Sequence, residues 1–528
     1  MKSTDVERYI IAVNASPEMA TYFRQYGVAY RWYAMLAVIS ANIAAVLAST
    51  IINVAVPDIM GAFGIGQDQA QWLATANLAA ATVAMLCSAW TVGRIGLRNT
   101  VLLGMSMFLV GSIVGGLATN FEIMIVSRIL QGIPAGLLMP LAMTVIFQVF
   151  PNGNQGVAMG ISSIGIILAP AIGPAVGGLA VDALNWRYVF YLGVPFSAVS
   201  LLLASVFLPG KGIGQPKPFD AIGLVVLSIA LVSLLVALSN GEREGWSSNL
   251  ILSYLSIFIV CGTGFIFWEI KQEHPLLDIE LFRQKNFSIM CLVGFVFGAG
   301  LYASTYLIPL FLQLAQRMSP TESGLLLMPA GFIMVLIFPF SGRLADRYDR
   351  RLLISGGIAF FAAAFWLMAS ADKGTSFWTF TFWVILSRIG IGLVMPALQM
   401  GALAGIEISR INAASGSFSF VRQLGGAFGV NLSSIILDQR TALHREIFAD
   451  TQTYTNGNTM ELLQGLSHLT RQMGYVGTDS WNAARGLLRQ MLQSQALVAG
   501  FKDSFLLLGL VFLLALIPTW MLQRTKRV

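Results

Sequence analysis

Ile161–Gly178 reads ISSIGIILAPAIGPAVGG. The stretch is almost wholly apolar and long enough to cross a bilayer, which takes ~20 residues. Yet it carries Gly165, Pro170, Gly173, Pro174, Gly177 and Gly178. So many breakers would ruin a helix in water. In a bilayer they are tolerated, because neighbouring helices re-satisfy the freed backbone groups. Gly173 and Gly177 also place small residues four apart, a face that another helix can approach closely. The stretch is either a kinked packing helix with no further role, or a bent helix on which two halves of a larger bundle rock.

The flanking chain has the same character. Of 528 residues, 56% are hydrophobic and only 11% charged. About a quarter of an average soluble domain is charged, so this chain is expected to be an integral membrane protein with many spans. The residues before the first apolar run are mostly polar, and that run is too long for a signal-peptide core. Cys87, Cys261 and Cys291 all sit inside apolar runs without paired spacing and read as packing residues. His274, His444 and His468 fall in expected loops. No metal site is expected. A net charge of +7 would suggest nucleic acid in a soluble protein; here the placement of the charges matters more, and no nucleic-acid partner is expected.

Fourteen apolar segments have spanning length: 33–57, 71–91, 100–118, 122–148, 157–181, 189–208, 220–239, 250–268, 287–313, 322–341, 352–370, 377–403, 413–436 and 504–522. With the N-terminus in the cytoplasm, the short external loops hold only Arg187, Arg243, Arg317 and Lys373. Lys and Arg crowd the other side. This bias is the positive-inside signal, and it supports an even number of spans with both termini cytoplasmic.

The chain also echoes itself. Ser127-Arg128-Ile129 and Gly136–Pro140 in the fourth span recur as Ser387-Arg388-Ile389 and Gly392–Pro396 in the twelfth. The loop after the second span has Gly93, Arg94, Gly96 and Arg98; the loop after the tenth has Gly342, Asp346, Arg347, Arg350 and Arg351. Matching features at matching places indicate two six-helix bundles related by a repeat. The seventh and eighth spans have no counterpart and read as an insertion. The expected organisation is a cytoplasmic segment 1–32, an N-terminal bundle 33–208, an inserted pair with its loops 209–285, and a C-terminal bundle 286–528 that includes an external segment 437–502.

None of the 25 acidic residues falls near the middle of an expected span. Asp58, Glu122, Asp182, Glu269, Glu322, Glu407 and Asp503 lie at span ends. The charges inside spans are Arg128, Arg388 and Arg422. An arginine at mid-bilayer costs ~2.5–3.5 kcal/mol on insertion scales, so each is a candidate functional residue that faces a bundle interior or a wet cavity. The structural alternative is an arginine that snorkels or bonds carbonyls.

Taken in order, these motifs resemble the major facilitator superfamily, and within it the fourteen-helix drug:proton antiporter branch. Thr50, Asn53 and Pro57 are similar to that branch's first-span signature, Arg128, Gln131 and Gly132 to the family's motif B, and Gly173, Pro174, Gly177 and Gly178 to the antiporter motif C. Gly342–Arg351 is a good copy of motif A. Asp220 with Gly223, Gly245 with Trp246, and Pro275–Asp278 with Leu281–Arg283 fit the inserted region; Arg422, Gly426 and Gly429 fit the thirteenth span. The chain departs from the pattern at Ala48 and Gly93, where the family has Asp, and at Leu97, where it has a basic residue. The loss at Ala48 weakens any carry-over of a first-span proton or cation site. The loss at Gly93 removes half of a charge-bonded latch; Asp346 and Arg347 keep theirs.

The resemblance implies an all-α membrane fold that exports small hydrophobic substrates against protons by alternating access, with motif C setting the bend and closure of the fifth span. It places Arg128 and Gln131 in a cavity wall. Asn42, Asn53, Asn77, Tyr302, Tyr306, Gln399, Gln423, Arg422 and Asn431 are candidate cavity residues. The proton carrier stays open among Asp58, Asp182 and Glu322. A cavity with arginine and no acid favours neutral or anionic amphiphiles. In segment 437–502, Trp481, Ala484, Leu488, Met491 and Gln495 have helical spacing, with Asp479 or Ser480 as cap. That segment is either a simple lid or a contact for a periplasmic adaptor protein, which in relatives leads to an outer-membrane channel. The chain has no phosphate-binding loop, no zinc-hydrolase helix and no serine-nucleophile elbow. No cofactor and no enzymatic activity are expected, and transport would run on an ion gradient or downhill. The rival readings are an exporter of one metabolite or fatty acid, and a degenerate, non-transporting sensor.

Overall fold

The computed structural model describes residues 3–13, 15–151, 153–210, 218–273, 275–453 and 455–522; His274 lies outside them. The helices are α1 (Ser3–Ala12), α2 (Pro17–Tyr26), α3 (Tyr30–Phe63), α4 (Gln67–Gly116), α5 (Phe121–Val149), α6 (Gln155–Ala183) and α7 (Val194–Phe207). There follow α8 (Ala221–Glu244), α9 (Asn249–Lys271), α10 (Ile279–Arg283), α11 (Lys285–Leu310), α12 (Pro320–Arg347), α13 (Arg350–Met368) and α14 (Phe377–Leu403). The last are α15 (Ile411–Asp450), α16 (Gly457–Gln472), α17 (Thr478–Leu514) and α18 (Leu516–Trp520).

Twelve stretches of the described residues are long and apolar enough to cross a membrane, against the fourteen expected. Expected spans 71–91 and 100–118 fall into one of these stretches, Trp72–Gly116. Inside it Gly96 takes φ 85° and ψ 165°, outside the helical region and open to glycine. Leu73 and Ser112 both reach one turn of α5, at Arg128 and Gln131, so α4 doubles back at Gly96. Expected span 157–181 lies in α6, several of whose side chains are outside the described residues; α6 is not among the twelve.

Helices α3 to α7 pack on one another, as do α11 to α15 with α17. The α8–α9 hairpin leans on α4 and α15. The two groups meet where α6 lies along α12 and α14, and where α15 lies along α4 and α5.

Two regions differ from the sequence expectation. The segment before residue 30, expected to be a polar tail, folds as α1 and α2 against the first group. Its aromatic residues explain this: Phe23 is fully buried against Tyr30 at the start of α3, Tyr9 Oη donates to the Val149 carbonyl at 3.1 Å, and Arg98 bonds Tyr22 Oη at 3.1 Å. The segment 437–502 is also not a separate lid. Its start is about the last four turns of α15, and its end is the first two-thirds of α17, which runs unbroken into the expected final span. The helical spacing noted there holds: Ala484 and Leu488 pack against Leu463 and Leu466 of α16. The cap does not. Gly477 precedes the helix without a side-chain cap, and Ser480 is turned inward, donating to the Ser467 carbonyl at 2.8 Å.

Candidate functional site

Arg128 is the centre of the first group. It is 1% exposed. Its Nε donates to the Leu73 carbonyl at 2.9 Å, and its Nη1 donates to the Ala48 carbonyl at 3.0 Å and to Gln131 Oε1 at 2.7 Å. Gln131 Nε2 donates in turn to Ser112 Oγ at 3.1 Å, and Asn77 Nδ2 donates to the Arg128 carbonyl at 3.1 Å. One guanidinium thus ties α3, both arms of α4, and α5. The close approach that permits this comes from small residues: a Cβ on Gly132 would lie 2.5 Å from the Asn77 carbonyl oxygen. Arg128 Nη2 is sealed from solvent with no partner among the described residues. Among those residues no carboxylate stands within ion-pairing distance of Arg128. Sequence reasoning pairs Gln131 with Arg128 through the turn of a helix; the Ala48 carbonyl, presented where the family carries a carboxylate, comes only with the fold.

The second group carries one further buried cation, Arg422, and one half-buried, Arg388. Arg422 is 4% exposed, and its Nη2 approaches Met139 Sδ of α5 at 3.8 Å. Beside it Tyr302 Oη donates to Gln423 Oε1 at 3.0 Å. Arg388 Nη1 donates to Ser304 Oγ at 3.3 Å. Tyr306 Oη shares a proton with Ser434 Oγ at 3.2 Å, and Asn431 is held by the Ala427 carbonyl. Gln399 is buried, and both amide atoms of Asn42 are buried with no partner among the described residues. The side chains of Asn53 and Pro174 lie outside the described residues.

The motif C glycines face inward on their own group. Gly173, Gly177 and Gly178 stand against Thr50, Ile51 and Val54 of α3. The contact with the second group is made earlier on the same helix. Gly156 meets the Gly342 backbone and Gly160 the Phe338 backbone, so closely that neither glycine has room for a Cβ. There the Gly156 and Val157 amides donate to the Asp346 carboxylate at 2.8 and 3.2 Å. A carboxylate at a helix start satisfies orphan amides and meets the positive end of the helix dipole. Further along, Thr144 Oγ1 and Ser415 Oγ lie 3.1 Å apart, and Ser415 donates to the Pro140 carbonyl. These contacts between the groups run from the α5–α6 turn to mid-helix, so the bundle is closed at that end. Arg94 and Arg347 are exposed.

The acids that the sequence left open as proton carriers are exposed: Asp58, Asp182 and Glu322. Glu322 caps α12, its carboxylate accepting from the Ser319 amide at 2.8 Å. Among the described residues Glu269 is the one acidic side chain that is buried, at 2% exposure. Sequence placed it at a helix end, which is correct for α9. The burial comes from a loop folding back over it, which no local signal announces. Among the described residues no group of three or more His, Cys, Asp or Glu is placed to hold a metal.

Comparison with known proteins accords with this architecture. The family model of the Major Facilitator Superfamily matches residues 38–430. The chain is similar to the multidrug export protein EmrB of Haemophilus influenzae, 29% identical over 92% of this chain and 94% of that one. It is also similar to the multidrug transporter protein MdtP of Bacillus subtilis, 30% identical over 75% of this chain and 73% of that one. Among solved structures, the human organic anion transporter MFSD10 aligns with a TM-score of 0.59 at 16% identity, over 93% of this chain and 99% of that one, a likeness of fold alone. The chain is therefore a multi-pass membrane protein of the Major Facilitator Superfamily, in its drug:proton antiporter branch.

Proposed function

We propose that the protein exports drugs or other hydrophobic and amphiphilic compounds across the plasma (inner) membrane in exchange for protons, by alternating access. The observation that carries this reading is similarity to multidrug exporters along more than nine-tenths of both chains. The geometry supports it: the two helix groups touch through glycine backbones, one carboxylate cap and side-chain contacts between α5 and α15, which can part without unfolding either group. In this reading residues 33–208 and 286–528 form the rocking bundles around the inserted pair, with both termini cytoplasmic. Arg128, Gln131, Asn53, Asn77, Tyr306 and Arg422 line the substrate and proton pathway. Gly173, Pro174, Gly177, Gly178, Arg94, Asp346 and Arg347 govern the change of state. The stalk formed by α16 and the outer ends of α15 and α17 is the candidate surface for a periplasmic adaptor.

The test is proton movement in vesicles when candidate substrates are added, comparing wild type with Arg128→Ala. Substrate-evoked proton release should fall by roughly tenfold or more in the variant, because the carbonyls of Ala48 and Leu73 lose a charged donor in a buried site. Substrate flux without proton movement would overturn the coupling. Absence of flux for every compound class would overturn export.

A further inference from the structure

Glu269 is the third residue from the end of α9, and its carboxylate turns back on the loop that follows. It accepts from the Leu276 amide at 3.3 Å and from the Leu277 amide at 3.4 Å. The next residue, Asp278, holds Arg410: Arg410 Nε donates to Oδ2 at 3.0 Å and Nη2 to Oδ1 at 2.7 Å. Glu280 adds a further bond to Arg410 at 3.0 Å. Arg410 is the residue immediately before α15, a helix that packs across both groups. The same loop is joined to α15 by packing, because Leu276 shares one buried cluster with Phe265 of α9, Met85 of α4 and Phe420 of α15. A continuous line of contacts therefore runs from Glu269, through 276–278, to the start of α15.

We infer that Glu269 is a proton-responsive hold on α15, distinct from the Arg128 site. When ionised, its carboxylate grips the Leu276 and Leu277 amides with charge-assisted bonds, roughly twice as strong as neutral ones. When protonated it holds them weakly, and the loop that carries Asp278 slackens on Arg410. A second acid bears on the balance. Asp220, at the start of α8, accepts from the Trp268 indole at 3.0 Å. A Cβ on Gly223 would collide with the Asp220 carboxylate and lie 3.2 Å from Glu269 Oε1, so both acids converge on one point. Two carboxylates brought this close repel one another while both are ionised. The other charged groups around Glu269 are Asp278 and Glu280 in the loop and Arg410 at α15. Lys271 and Glu273 flank it in sequence and are exposed, and Met85, Leu86 and Trp90 on the facing stretch of α4 carry no charge. The inference does not depend on what the protein exports.

Hydrogen–deuterium exchange of the full chain in nanodiscs, corrected for intrinsic rates, tests it. In wild type, protection of the peptides covering 275–283 and 408–414 should fall roughly tenfold as pH is lowered, the loss of about one charged hydrogen bond. The peptide covering 156–160 should not change with them. Glu269→Gln should hold both responding peptides at the low-pH level throughout. A flat wild-type profile, or a Glu269→Gln profile that still titrates, would overturn the hold. If that variant does not fold, Asp278→Asn decides: residues 275–283 should still respond and 408–414 should not. A response of 408–414 unchanged in Asp278→Asn would sink the proposed line to α15.

Discussion

The starts of α6 and α15 occupy matching places in the repeat, yet they are secured by different means. At α6 the carboxylate comes from the other group: Asp346 receives the Gly156 and Val157 amides directly. At α15 the corresponding loop of the first group offers Gly93, with open space where a Cβ would stand. The α15 start has no side-chain cap and is instead tied through Arg410 to Asp278 and Glu280, which belong to the connection from the inserted hairpin. One latch is thus made between the groups and must break when they part. The other is made through a third element and can be released on its own. Duplicated architecture does not require duplicated mechanics.

The largest expected effect tests the first latch. Asp346→Ala removes two charged hydrogen bonds to backbone amides and should favour separation at this end by about 2–3 kcal/mol. Spin labels at Asn154 and Arg343, both exposed, should then report a longer and broader distance. An unchanged distribution would assign closure to the glycine contacts instead. Next in size, Arg410→Ala should loosen the 275–283 loop by about 1 kcal/mol, the scale of a partly exposed ion pair. Exchange protection reads the loosening, and the Asn154–Arg343 distance should stay as in wild type. Movement of that distance would mean that the two latches are coupled. The smallest change is a repair. Gly93→Asp restores a carboxylate to the first loop and should steady the α15 start by about 0.3–1 kcal/mol through the helix dipole. Greater protection of 408–414 would make the two ends alike; no gain would show that the insertion has moved α15 out of reach of that loop.

The helical architecture was legible because its signals are local. Apolar runs of spanning length mark helices, and Gly96 marks the turn between two of them. Arg128 and Gln131 were legible as a pair because three residues make nearly one helical turn. What surrounds them was not. The Ala48 and Leu73 carbonyls carry no sequence signature, since every residue has a carbonyl. The Asp278–Arg410 pair spans 132 residues, and no spacing rule joins them. Glu269 shows the same limit: its place at a helix end was readable, its burial was not, because a loop beyond the helix supplies the cover. The fold of α1 and α2 was missed because short helices rich in tyrosine resemble a polar tail until a surface is present for Phe23 and Tyr30 to fill.

The stalk formed by α16 with the ends of α15 and α17 has a mechanical consequence. A helix of 40 residues, as in α15, is about 60 Å long, twice the thickness of a bilayer core. Neither α15 nor α17 breaks where it leaves its membrane-spanning portion; the two pack on each other, and α16 packs on α17 beyond that point. The pair is rooted among α11 and α13 and continues past the spanning portion as one arm. A tilt of the second group is therefore carried to the tip, so that a protein grasping the stalk would sense the transport cycle as displacement, without touching the substrate path.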